Sequence, residues 1–225
     1  MEILRVNNLS KKYGKGENEF LALKNINFSI NKGEFVCITG KSGCGKSTLI
    51  HLLAGLDKPS SGEVIINNQN IYKLSLDDLT IFRRKNIGII YQFYNLIPNL
   101  NVKENILLPL FLDKRTISEK RFNNLISVLG INSKLKSMPN DLSGGLQQRV
   151  AIGRALINKP KILFADEPTG NLDSKNSMKV MRLLEFYNKK FKQTIVMVTH
   201  DDLLARRCHR NIIMKDGKII NDIRK

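Results

Sequence analysis

Tryptophan is absent from this 225-residue chain, which carries only three cysteines, three histidines and six prolines. Cys37, Cys44 and Cys208 are widely spaced and form no Cys-x-x-Cys pair. That spacing excludes a zinc ribbon and a disulfide framework, and an odd, unpaired count fits a reducing cytoplasm. Long apolar runs are missing as well. A spanning helix needs roughly 20 consecutive apolar residues, whereas Ile106–Leu112 is short and interrupted by Pro109. Met1-Glu2-Ile3-Leu4-Arg5 lacks the basic-then-apolar order of a secretory leader, so none is expected. Acidic residues are scarce: 20 Asp and Glu stand against 37 Lys and Arg, a formal charge of +17. The excess is spread along the chain. It fits an anionic partner (nucleotide, nucleic acid or acidic membrane surface) and equally a lysine-rich solvated surface. The length suffices to bury a core without staples, as one domain or one domain with an insertion.

What is present centres on Gly40-Lys41-Ser42-Gly43-Cys44-Gly45-Lys46-Ser47, followed by Thr48. The stretch satisfies G-x-x-x-x-G-K-[ST], a phosphate-binding pattern. The apolar run 34–39 before it reads as a buried strand, and 48–54 after it as a helix with Leu49, Leu52 and Leu53 inward. Glycines let successive backbone N–H groups surround a polyphosphate, and the helix start adds donors and a positive dipole end. Lys46 is placed to reach terminal phosphates, and the Ser47 hydroxyl to ligate Mg²⁺.

Elsewhere, alternating apolar positions over 2–9 and 23–31 predict strands of an antiparallel sheet, with Tyr13 in the loop between them. Residues 63–66 continue as a strand after the Pro59-Ser60-Ser61-Gly62 turn. Ser75 with Asp77 and Asp78 opens a helix over 75–85 that ends in Arg83-Arg84-Lys85. Ile87–Tyr91 is a second buried strand. The stretch from 93 to about 159 reads as an inserted helical unit, with one helix running from near Ser118 to Gly130. Apolar strands follow at 161–167 and 194–200, separated by a helix over 174–190, and Asp216-Gly217 turns a terminal hairpin. Such alternation implies an α/β fold with a mostly parallel sheet. Gly40, Gln92, Asp166 and His200 then fall at carboxyl ends of strands, where ligands bind in such sheets.

Asp166 and Glu167 close an apolar strand. Asp166 is a candidate to hold Mg²⁺, directly or through water, and Glu167 to polarise an attacking water. Gln92 is a candidate to complete the metal shell and orient that water, and His200 to donate to a γ-phosphate. Each residue type alone is common at strand ends as a cap or turn. Leu142-Ser143-Gly144-Gly145 is a second glycine-bearing helix start with Ser143 as natural N-cap. The first loop already owns its helix, so this second phosphate-seeking end suits a nucleotide held by another molecule.

Taken in order, the phosphate loop, Gln92, Leu142-Ser143-Gly144-Gly145, Asp166-Glu167, Asn171-Leu172-Asp173 and His200 resemble an ATP-binding cassette (ABC) ATPase along essentially the whole chain. The stretches from Tyr91 to Pro98 and from Glu104 to Leu110, with the polar insert after Gly14, look like the MacB/LolD-type subfamily. That subfamily serves macrolide efflux, lipoprotein release or antimicrobial-peptide export and resistance. The resemblance implies a P-loop NTPase (RecA-like) core with an antiparallel β subdomain, over about 1–92 and 160–225, and an inserted α-helical subdomain over about 93–159. It implies ATP and Mg²⁺ as ligands and a head-to-tail dimer sandwiching two ATPs. Ser143, Gly144, Gly145 and Asp173 would act in trans on the Gly40–Thr48 loop of a second copy or a similar cassette. Tyr13 falls where the family stacks adenine. The partner would be an integral-membrane permease on a separate chain, received near Phe93, Leu96 and Ile97. The location would be peripheral on the cytoplasmic face, with no specific nucleic acid expected. Alternative family roles are FtsE-like force transmission to envelope enzymes, or a nucleic-acid-associated ABC ATPase. Two positions depart from the family pattern. Leu146 replaces the usual glutamine at the N3 site, where it cannot return a hydrogen bond to Ser143 N–H, so a looser helix start and weaker dimerisation are expected. Cys44 replaces the commoner serine, and a thiol near a phosphate-binding helix start is expected to be reactive.

Overall fold

The computed structural model describes all residues, 1–225. Its strands are β1 (Glu2–Tyr13), β2 (Phe20–Asn31), β3 (Phe35–Thr39), β4 (Ser61–Ile66), β5 (Gln69–Asn70), β6 (Ile87–Ile90), β7 (Ile162–Asp166), β8 (Thr194–Val198), β9 (Arg210–Lys215) and β10 (Lys218–Arg224). The helices are α1 (Lys46–Leu53), α2 (Leu76–Asn86), α3 (Val102–Leu112), α4 (Glu119–Leu129), α5 (Gly144–Leu156), α6 (Ser174–Phe191) and α7 (Asp202–Ala205).

Two sheets result. One is antiparallel in the order β2-β1-β4-β5; the other runs β10-β9-β3-β8-β7-β6 and is parallel from β9 to β6. β3 and β8 are buried at every residue, which is why they read as continuous apolar runs instead of alternating ones. Their side chains still alternate between faces. Phe35, Cys37, Leu163, Ala165, Ile195 and Met197 join a core shared with α3 to α7, while Val36, Ile38, Ile162, Phe164, Val196 and Val198 join one shared with α1 and the antiparallel sheet. The phosphate-loop helix is therefore clamped between the two sheets. No helix is long and apolar enough to cross a membrane.

Local chemistry sets the element ends. Asn101 and Glu104 form a reciprocal capping box at the start of α3. Gly130, at φ 65°, closes α4 in the left-handed conformation. Asp216 and Gly217, at φ 50° and 78°, make the primed turn of the β9–β10 hairpin. Tyr13 corrects the sequence expectation: it ends β1, paired with Phe20, because both strands of that ribbon extend beyond their apolar repeats into polar residues.

Candidate active site at the strand ends

Gly40–Thr48 leads from β3 into α1, with Gly40, Gly43 and Gly45 at φ 151°, 77° and 101°. At Gly45 a Cβ would lie 2.7 Å from the Ala22 carbonyl oxygen and 2.8 Å from Leu23 Cδ2, so only glycine brings the loop this close to β2. The backbone N–H groups of Gly43, Gly45, Lys46 and Ser47 have no acceptor within the chain. These convergent free donors at a helix start form a cradle for an anion. Lys46, 6% exposed, donates from Nζ to the carbonyls of Gly40 and Lys41 at 2.9 and 3.0 Å, which holds its ammonium across the loop. Lys41, Ser42 and Gly43 are exposed. Cys44 is not: it is 5% exposed and packs in the core beneath the loop, a position that limits reagent access to the thiol expected to be reactive.

The neighbouring strands deliver the carboxylates. Asp166 ends β7, and its Oδ1 accepts from Ser47 Oγ at 3.2 Å, while His51 Nε2 stands 3.7 Å from Oδ2. Burial pushes the Asp166 carboxyl above its ordinary range, against the opposing pull of His51, Ser47 and Lys46. Glu167 holds φ 45°, rare for a residue with a side chain. Its N–H donates to the Val198 carbonyl and its own carbonyl accepts from Gly170, both at 3.0 Å. This turn aims the Glu167 carboxylate at His200, with 3.2 Å between Oε2 and Nδ1. Gln92 follows β6 and is held from both sides: Asn171 Nδ2 donates to its carbonyl at 3.1 Å, and its own Nε2 reaches Asn171 Oδ1 at 3.5 Å.

Lys46, Ser47, Thr48 and Glu167 share one open cleft of about 410 Å³ with Ser42, Phe20 and the Asp216-Gly217 turn. The residues suit a hard divalent cation: a hydroxyl and a carboxylate, adjacent and oxygen-only, below a cradle of N–H donors. A carboxylate next to them that is not tied up by a cation can accept a proton from water.

Tyr13 stands beside this cleft. Its hydroxyl donates to Asp57 Oδ2 at 2.7 Å, and its ring lies 5.6 Å from that of Phe20. Ser143, Gly144 and Gly145 begin α5 elsewhere. Ser143 has the extended backbone of an N-cap but makes no side-chain capping bond. A Cβ on Gly144 would meet Tyr94 Oη at 2.6 Å, and one on Gly145 would meet Asn176 Cγ at 3.1 Å. Asn176 in turn donates to Asp173, the N-cap of α6, from its backbone and side-chain nitrogens at 2.8 and 2.6 Å. Ser143–Gly145 and Asp173 are thus neighbours, and no backbone hydrogen bond joins them to Gly40–Thr48 of the same chain. Leu146 packs against the core. Gln148, fully buried, donates to the Pro168 carbonyl at 2.6 Å and ties α5 to the Asp166–Pro168 turn.

Sequence reasoning missed His51, Phe20 and Asp57. His51 had a signal, since it lies four residues after Ser47 and therefore on the same helical face. Phe20 and Asp57 had none.

The ABC transporter family profile matches residues 23–170. An uncharacterised ABC transporter ATP-binding protein of Methanocaldococcus jannaschii is 49% identical over 225 residues, 99% of this chain and 100% of the relative. The bacitracin export ATP-binding protein BceA of Halalkalibacterium halodurans is 44% identical, covering 100% of this chain and 90% of its own. The lipoprotein-releasing ATP-binding protein LolD of Cytophaga hutchinsonii is also 44% identical, over 97% and 99%. Among solved structures, a dimeric bacterial ABC transporter cassette superposes with a TM-score of 0.90 at 44% identity, covering 99% and 98% of the two chains. A dimeric post-hydrolysis cassette bound to ADP and Pi gives 0.89 at 42% identity over the same shares. The chain belongs to the ABC transporter family, as an ATP-binding and ATP-hydrolysing cassette.

Proposed function

We propose that two such cassettes pair head to tail and drive an integral-membrane permease carried on a separate chain. One observation carries this reading: the cleft lined by Lys46, Ser47, Thr48 and Glu167 takes no lining from Ser143–Gly145 or Asp173 of the same chain. Dimeric relatives support it. Lys41 to Thr48 would bind the phosphates, with Lys46 supplying charge, and Tyr13 would receive the base. Ser47, Asp166 and Gln92 would hold Mg²⁺, which when bound neutralises charge building on the phosphates. Glu167 takes the proton of the attacking water, and His200 orients that carboxylate and the terminal phosphate. In domain terms, about 1–92 and 160–225 form the catalytic core, and about 93–159 the unit that carries Ser143.

The surface offered to the permease is a groove of about 470 Å³ lined by Arg83, Arg84, Pro109, Leu112 and Arg154. Phe93, Ile97 and Phe111 are exposed apolar side chains available to the same partner. Placement on the cytoplasmic face of the membrane follows from that partner. Likeness to BceA and LolD supports a MacB/LolD-like role in efflux, antimicrobial-peptide resistance or lipoprotein release. Affinity capture of the tagged chain from detergent-solubilised membranes tests this. A multi-span protein should co-purify and stimulate ATP turnover; capture of no membrane protein would sink the reading. The +17 charge supports one rival, a nucleic-acid-associated ATPase, which requires RNA or DNA to outcompete anionic vesicles at equal salt.

A further inference from the structure

We propose that Asp57 is a positioning residue that presets the ring of Tyr13 as the platform for the nucleotide base; this rests on the reading of Tyr13 given above. Asp57 lies in the turn between α1 and β4, 44 residues from Tyr13. Its carboxylate accepts three hydrogen bonds. Oδ2 accepts from the Tyr13 hydroxyl at 2.7 Å, and Oδ1 accepts from Lys11 Nζ at 2.7 Å and from the Lys58 N–H at 2.6 Å. Burial works to raise the Asp57 carboxyl, but the bonds from Lys11, Tyr13 and Lys58 outweigh it and hold the group below its ordinary range. It is therefore an anion at working pH, and the phenol donates to a charge.

Lys11 does a second job. Its buried ammonium sits 4.7 Å from the centroid of the Tyr13 ring and covers one face. The ring is tied to α1 through Asp57, whose turn directly follows that helix. The turn itself is fixed to the far end of that helix, because the Tyr72 hydroxyl reaches the carbonyls of both Leu52 and Asp57, at 2.5 and 2.8 Å. Ring and phosphate cradle are thus two fittings on one helix, α1. With its phenol held by Asp57 and the Lys11 ammonium over the ring, Tyr13 has less rotamer freedom to lose when a flat base stacks on it. Preorganisation of this kind shows as affinity for the base-bearing ligand alone.

The experiment compares Kd for ATP and for inorganic tripolyphosphate, which has the phosphates without the base. Asp57→Ala should weaken ATP roughly tenfold, the scale of one charge-assisted hydrogen bond, and leave tripolyphosphate within about twofold. Asp57→Asn keeps one acceptor oxygen and should recover most of the loss. In a Tyr13→Ala background Asp57→Ala should cost nothing further. Equal weakening of both ligands, no weakening of either, or an undiminished cost in the Tyr13→Ala background would each overturn the proposal. If Tyr13→Ala itself leaves ATP affinity intact, the base-platform reading fails and the proposal falls with it. If Tyr13→Ala weakens ATP while Asp57→Ala does not, only the role of Asp57 is lost.

Discussion

Replacing Glu167 with glutamine separates binding from turnover in this site. The substitution keeps the length and shape of the side chain and removes only its ability to take a proton. The left-handed backbone at φ 45° is held by main-chain bonds to Val198 and Gly170, so the turn survives the change. An amide oxygen can still face His200 Nδ1, now 3.2 Å from the carboxylate. Nothing in the cradle is touched: Lys46 bonds Gly40 and Lys41, and Ser47 bonds Asp166. ATP affinity should therefore stay within about twofold, and the melting temperature should barely move, as expected for a substitution worth about 0.5 kcal/mol or less. Loss of a positioned general base costs about a hundredfold to ten-thousandfold, roughly 3 to 5.5 kcal/mol of barrier. Steady-state phosphate release at saturating ATP measures that loss, and light scattering measures whether unspent ATP traps the dimer. A rate within tenfold of wild type would refute the role given to Glu167. So would a parallel fall in ATP affinity, because the residue would then be part of the cradle.

Four further outcomes follow from the geometry. Gly45→Ala forces a Cβ to within 2.7 Å of the Ala22 carbonyl at φ 101°; the backbone penalty alone is about 1–2 kcal/mol, so nucleotide binding measured by fluorescence titration should fall at least about tenfold. Asp222 forms a paired bond to Arg210, itself 4% exposed, at 2.7 and 2.6 Å. Breaking such a pair costs about 3–5 kcal/mol when both partners are buried; Asp222 is partly exposed, so Asp222→Asn should cost about 2 kcal/mol by urea unfolding. Arg210 holds the Asp222 carboxyl below its ordinary range, so the wild type keeps this contribution above that range and loses it as pH falls through the lowered value, a slope that Asp222→Asn should lack. Alkylation of Cys44 should be slow, since the thiol is buried, and once complete should abolish nucleotide binding; rapid modification with full activity would contradict its place beneath the loop. Leu146→Gln adds the returning half of a capping box at a Ser143 N-cap that makes no side-chain bond; ATP-dependent dimerisation of the Glu167→Gln protein should tighten by a few-fold, about the scale of one cap.

How far the amino-acid sequence reveals the site depends on whether a contact is local along the chain. The cradle is legible because its glycines, Lys46 and Ser47 are contiguous, and the strand tips are legible because β3, β7 and β8 are apolar almost throughout. The bond of Tyr13 to Asp57 is not: it forms only because β1 and the turn after α1 meet in space, and no periodicity records that meeting. The burial of Cys44 is not legible either, because a loop has no repeat from which to read inside and outside. The order of the strands is the deepest omission. Gly40, His200, Glu167 and Gln92 follow β3, β8, β7 and β6, successive neighbours in the sheet, although β3 precedes the other three in the chain with β4 and β5 between. At about 4.8 Å per strand, three spacings set the Gln92 strand about 14 Å from the strand that feeds the cradle. His200 and Glu167 sit on adjacent strands, so their bond is built into the sheet. Gln92 has no such neighbour on the cradle side and depends on Asn171 for its placement. It also opens the segment that runs into α3, α4 and α5. Of the groups at the strand ends, Gln92 therefore follows the strand farthest from the one that feeds the cradle, and it alone continues directly into the helical segment.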